Sequence, residues 1–174
     1  MVLGISFATV LGLTAGILHL FNHALMKGAL FMAMGCVMYR VGSVQIDRMA
    51  GLGKAMPWTM AAFVAAGLSI IGVPLTVGFI SKWYLVQAAL EVGMWPVAAV
   101  VMIGSLLAVI YIWKVVEVAY FRTVDPDAGI SEAPMSLLVP TWILVLLNYW
   151  FGIDASGTSA VATRAAEMLL GVGS

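Results

Sequence analysis

Long apolar runs, parted by short polar breaks, limit this chain more than any motif in it. A helix needs about 20 predominantly apolar residues to cross a bilayer, with a range of roughly 17–25. Runs on that scale recur at residues 14–39, 57–90, 95–121 and 135–151. A soluble protein would have to bury all four as core. The composition agrees with a membrane chain: 63% of residues are hydrophobic and 9% are charged, against about 25% charged in a typical soluble domain. The formal net charge is zero, which gives no reason to expect a nucleic acid or an acidic partner. Cys36 is the single cysteine; it excludes an internal disulfide and reads as helix packing. Twelve Met and eighteen Gly suit gap filling and close helix approach. The reading is an all-α, multi-pass membrane protein with four transmembrane helices and an N-terminal helix stub.

The stub is residues 1–13, apolar but too short to cross. It has neither a basic leading region nor a small-residue cleavage site, so it is not read as a signal peptide; it resembles the end of a longer helix. Residues 14–153 form the four-helix membrane domain. Residues 154–174 are rich in small residues, with Arg164 and Glu167 three apart, and read as an interfacial tail. Loop charge sets the topology. Arg40, Arg48 and Lys54 follow the first span and Arg122 follows the third, while the loop after the second has Glu91 and no Lys or Arg. The basic loops are therefore expected on the cytoplasmic side, and Tyr149, Trp150 and Phe151 at the outer interface of the fourth span.

Inside the first span, His19, His23 and Lys27 stand four apart with no other charge near them. Each step of four turns a helix by about 400°, so the three share one stripe roughly 12 Å long. Titratable groups are costly at membrane depth and usually face a bundle interior or a wet cavity. A ladder of proton-exchanging groups there is what a proton path needs. The packing alternatives are weaker for His23 and Lys27 than for His19, which lies nearest the outer end of its span. Lys27 is near the middle, out of easy reach of either surface by snorkelling.

The second span carries the other strong signal. As one helix, residues 57–90 would be about 51 Å long, against a hydrocarbon core of about 30 Å. Gly72-Val73-Pro74-Leu75-Thr76-Val77-Gly78 supplies a break, because Pro74 cannot donate a backbone bond and Gly72 and Gly78 permit non-helical angles. Broken helices are tolerated at depth where protein or water satisfies the freed backbone, and they recur at transporter ion sites. Lys82 follows four residues later. Lys114 and Glu117, three apart near the end of the third span, read as an ordinary interfacial ion pair with at most an auxiliary role.

The stretch His19-Leu20-Phe21-Asn22-His23-Ala24-Leu25-Met26-Lys27-Gly28-Ala29-Leu30-Phe31 resembles a signature of the antiporter-like membrane subunits. These occur in respiratory complex I and in multisubunit cation/proton (Mrp-type) antiporters. The stretch from Gly72 to Lys82 resembles the second signature, around the family's broken twelfth helix. Ile46-Asp47-Arg48-Met49-Ala50-Gly51-Leu52 and Met56-Pro57 also fit. Ser81-Lys82-Trp83-Tyr84 and the run from Trp113 to Arg122 look most like the D-type subunit of the Mrp group.

The resemblance implies the C-terminal portion of a fourteen-helix fold, with the stub matching the end of helix ten and the four spans matching helices eleven to fourteen. It implies that His19, His23, Lys27 and Lys82 belong to a hydrated proton-conducting axis. It implies other membrane subunits as partners, protons and, in an Mrp-type assembly, Na+ as the ions, and the cell (inner) membrane as location. With the first repeat absent, it implies a fragment, split gene product or truncated gene. No redox motif, nucleotide loop or metal cluster occurs, so no cofactor or metal is expected, and the chain reads as a transporter subunit rather than an enzyme. The competing reading is a structural membrane module without transport of its own.

Overall fold

The computed structural model describes residues 1–123 and 129–172. They form α1 (Val2–Ser6), α2 (Val10–Val41), a 3₁₀ turn (Ile46–Met49), α3 (Leu52–Ala55), α4 (Pro57–Ile71), α5 (Val77–Glu91), α6 (Trp95–Phe121), α7 (Met135–Ile153) and α8 (Ser156–Leu170). Helices α2, α6 and α7 are long and apolar enough to cross a membrane. The remaining span is divided into α4 and α5, 15 residues each. Each half covers about 22 Å, so only the two together reach across the hydrocarbon core.

Helix α2 is the element on which α1, α4, α5, α7 and α8 pack. Its buried positions include Ala15, Leu18, Asn22, Met26, Ala29, Ala33 and Cys36. That spacing of three and four marks one helix face, and the small residues on it let neighbouring backbones approach. Thr9 caps the start, its hydroxyl oxygen accepting from the Gly12 N–H at 3.0 Å. The helix therefore begins at Val10, inside the 1–13 segment expected to be a separate stub. Ala8, with φ of 52°, turns the chain, and α1 folds back onto α2. Composition does not change across residues 7–9, so nothing in the sequence marks this turn.

At one end of the bundle the two basic loops meet. The Gly51 N–H donates to the Val118 carbonyl at 3.2 Å, and Asp47 pairs with Arg122 at 3.6 Å. Arg40 Nε donates to the Glu132 carbonyl at 2.8 Å. The Glu132 carboxylate accepts from the N–H groups of Trp58 and Thr59, at 2.8 and 3.4 Å, and from the Thr59 hydroxyl. These are among the N–H groups that have no intrahelical partner at the start of α4. Beneath this layer lies the main apolar core, with Cys36, Met49, Leu52, Met56, Met60, Phe63 and Leu138 buried together. Lys114 and Glu117 do not form the expected ion pair. Both side chains are exposed, and among the described residues Arg122–Asp47 is the ion pair present. A spacing of three allows an exposed pair without enforcing it, because such contacts gain little in solvent.

Candidate functional site

The break between α4 and α5 organises the opposite half of the bundle. Gly72 adopts φ of 89°, a left-handed angle that costs glycine little. Its N–H donates to the Ser69 carbonyl at 3.1 Å, and the Val73 N–H reaches back to the Leu68 carbonyl at 3.1 Å. This paired pattern ends α4 and satisfies two of its final carbonyls. The chain then passes Pro74 and Leu75 (φ 73°), and the Thr76 hydroxyl donates to the Val73 carbonyl at 2.7 Å.

Helix α5 starts at Val77, so the non-helical stretch is residues 72–76, shorter than the expected 72–78. Gly78 is helical, and its role is not conformational freedom. A Cβ there would collide with the Ser69 carbonyl oxygen, so α5 presses its backbone directly on α4. On the far side, a Cβ on Gly152 of α7 would collide with the Leu75 carbonyl oxygen. The break is thus held between two close backbone approaches.

Lys82 reaches back from α5 to the end of α4. Its Nζ donates to the carbonyls of Ile70 and Ile71 at 2.7 and 2.9 Å, and to Ser105 Oγ of α6 at 2.8 Å. An ammonium has three N–H donors, and all three are used. The two carbonyls belong to the last turn of α4, where acceptors lack intrahelical donors and the helix dipole favours a cation. The lysine side chain passes close over Gly72, where a Cβ would lie 3.1 Å from Lys82 Cδ.

The facing side of α2 supplies the histidines. His19 Nδ1 lies 3.0 Å from Ser81 Oγ. Because α2 begins at Val10, His19 stands about two and a half turns inside the helix, not at its outer end. The His19 and His23 ring centroids are 5.5 Å apart. Lys27 is exposed on the surface of the chain, its Nζ 5.7 Å from the centre of the Phe31 ring, within range of a cation–π attraction. His19, His23, Lys27 and Lys82 line one cavity of about 340 Å³, with Ser105 and Tyr111 of α6 completing its wall. Lys114 and Glu117 are not among the lining residues.

Several polar residues here have no counterpart in the sequence reading. Asn22, buried, donates through Nδ2 to the Val77 carbonyl at 2.8 Å and ties α2 to the start of α5. Ser69 donates to Asn148 Oδ1 at 3.0 Å, linking α4 to α7. The Tyr149 hydroxyl donates to the Ala65 carbonyl at 3.2 Å, a second link between α7 and α4. Asn22 could have been found, because it lies inside the His19–Lys27 stretch. Ser105 sits in an apolar helix with no neighbouring motif. Among the described residues no group of three His, Cys, Asp or Glu side chains is placed to hold a metal ion.

The family model described as NADH:quinone oxidoreductase/Mrp antiporter, transmembrane, matches residues 1–108. The chain belongs to this family. It is 44% identical over 156 residues to the N-type subunit of NADH-quinone oxidoreductase from Desulforudis audaxviator, covering 82% of this chain and 31% of that protein. It is 27% identical over 171 residues to the D-type subunit of the Na(+)/H(+) antiporter from Bacillus subtilis, covering 96% of this chain and 34% of that protein. Among solved structures it superposes on a chain of the Mrp complex from Dietzia sp. DQ12-45-1b with a TM-score of 0.87 and 25% identity, covering 96% of this chain and 39% of that one. The chain therefore spans about a third of the length of the relatives it matches. These likenesses fit an antiporter-like fold of membrane helices, and the D-type wording near Lys82 coexists with the higher identity to an N-type subunit.

Proposed function

We propose that this chain carries part of a proton path in a multisubunit membrane assembly, either a cation/proton antiporter or a complex I-like pump of the inner cell membrane. The observation that carries the reading is the shared cavity: His19, His23, Lys27 and Lys82 come from two helices and open onto one space of about 340 Å³. Lysine and histidine can both exchange protons, and histidine does so near neutral pH. Unpaired charge at the centre of a membrane helix costs about 3 kcal/mol on insertion scales. Protons would pass among Lys27, His23 and Lys82 through water in the cavity. The break leaves carbonyls free at the end of α4, and these hold Lys82 while it carries its charge. The driving reaction, quinone reduction or exchange against Na+, belongs to partner subunits; this chain acts as a transporter subunit without redox chemistry of its own. Lys114 and Glu117 have no place in the path.

Ion flux in proteoliposomes, normalised to assembled complex, tests the reading. Lys82→Ala and Lys27→Ala each lower flux at least about tenfold, as expected when a proton-carrying group is removed. His23→Ala and His19→Ala have smaller effects, because water can bridge the gap. Parental flux in both lysine variants would overturn the proposal and leave a structural module.

A further inference from the structure

Three acceptors surround the Lys82 ammonium, and they are not equivalent. The carbonyls of Ile70 and Ile71 can only accept. Ser105 Oγ, at 2.8 Å, is a hydroxyl and can either accept or donate. At present it accepts from Lys82, and its own hydrogen goes to the Val101 carbonyl at 3.3 Å. That bond is at the long end for O–H···O, whose usual range is about 2.5–3.0 Å, so the hydroxyl has a weak claim on it.

Loss of a proton changes what Lys82 requires of its partners. The ammonium turns about its Cε–Nζ bond to present one N–H to cavity water. That Nζ–H bond breaks, the proton passes to the water oxygen, the electron pair stays on nitrogen, and the amine turns back. The neutral amine then has two N–H donors and one lone pair. The two donors match the two carbonyls. The lone pair faces Ser105, which turns its O–H away from Val101 and donates. Ser105 neither gains nor loses a proton in this exchange.

We propose that Ser105 is the positioning residue for proton transfer at Lys82, accepting from the ammonium and donating to the amine so that Nζ stays at the end of α4 in both states. The inference rests on the proton-path reading above. With a methyl group at this position, the charged form lacks one acceptor and the neutral form lacks its donor, and the amine loses its fixed orientation. The other titratable side chains on the same cavity are His19, His23 and Lys27 from α2 and Tyr111 from α6; α4 presents backbone carbonyls to Lys82.

The test compares Ser105→Ala with Ser105→Thr in the assembled complex by two measurements. One is the pH profile of ion flux in proteoliposomes. The other is the ¹⁵Nζ resonance of Lys82 in lysine-labelled protein, assigned by its loss in Lys82→Gln. Ser105→Ala is expected to lower flux about tenfold, the scale of one hydrogen bond to a charged group. It also shifts the pH profile and the Lys82 resonance, and Ser105→Thr, which keeps the hydroxyl, restores all three. A purely structural serine would lower the yield of complex and leave the profile and resonance in place, which would overturn the proposal. Should the parent complex carry no flux, the proton-path reading falls and the resonance decides alone. Movement in the alanine variant with rescue by threonine supports the Ser105 contact, and an unmoved resonance refutes it.

Discussion

The two ends of this bundle are built by opposite means. At the end with the basic loops, methionine, leucine and phenylalanine side chains fill the space between helices, and polar contacts are few in the core, with most gathered around Glu132 and Arg122. At the end with the break, side chains give way to glycine, and backbones press together at Gly78 and Gly152. Polar atoms there lie inside the protein, and His19, Asn22, Ser69, Ser81 and Lys82 are each bonded to a neighbouring helix or turn. The lesson is that a buried polar site needs its backbone positions fixed more closely than an apolar core does. A core side chain can shift rotamer to fill a gap. A carbonyl that must meet an ammonium at 2.7 Å cannot.

Three substitutions and one control sharpen this contrast, the three taken from the largest effect to the smallest. Gly78→Ala drives a methyl into the Ser69 carbonyl oxygen. The Ser69 backbone cannot yield as a side chain can, so the expected loss is about 3 kcal/mol or more, at or beyond the usual range for overpacking, and the complex fails to assemble in membranes. Gly104→Ala, where nothing lies within 4 Å, is the control and keeps parental yield. Phe63→Ala, in the apolar core, costs about 3 kcal/mol, read as a lower unfolding midpoint in detergent titration. Flux per assembled complex stays at the parental level, and a loss there would break the separation of the two ends. Glu132→Ala removes the acceptor from Trp58 and Thr59 and costs about 1 kcal/mol, the scale of a lost helix cap. Hydrogen exchange should rise in the first turn of α4 and stay unchanged at residues 72–78.

Much of this arrangement is legible in the sequence because it follows from short-range rules. The span at 57–90 is too long for one helix and contains Gly72 and Pro74, so a break has to fall there. His19, His23 and Lys27 share a stripe because four residues nearly complete a helical turn. Contacts decided by distant parts of the chain are not legible. In the sequence Gly78 reads as a flexible position, yet it is helical, and its need for glycine comes from Ser69 nine residues earlier. Ser105 gives no local signal, and its significance arises only because α6 lies beside the end of α4. Lys114 and Glu117 fail in the other direction, since their spacing permits a contact that two solvent-facing side chains do not make. The start of α2 at Val10 depends on Thr9 and on Ala8 in a left-handed angle, neither of which stands out in an apolar segment.

The unequal fixing of the break has a mechanical consequence. Towards α7, Leu75 and Thr76 rest against Gly152 with no side chain between them, a joint that packing holds whatever the charge state. The end of α4 meets α5 at the Gly78–Ser69 backbone contact, and the Lys82 ammonium adds bonds to Ile70, Ile71 and Ser105 of α6. One side therefore works as a hinge pin and the other as a latch, and the latch is a group that can change its charge. With Ser105 reversing its hydrogen as proposed, the latch keeps three hydrogen bonds in either charge state, and the divided span stays fastened while the proton leaves.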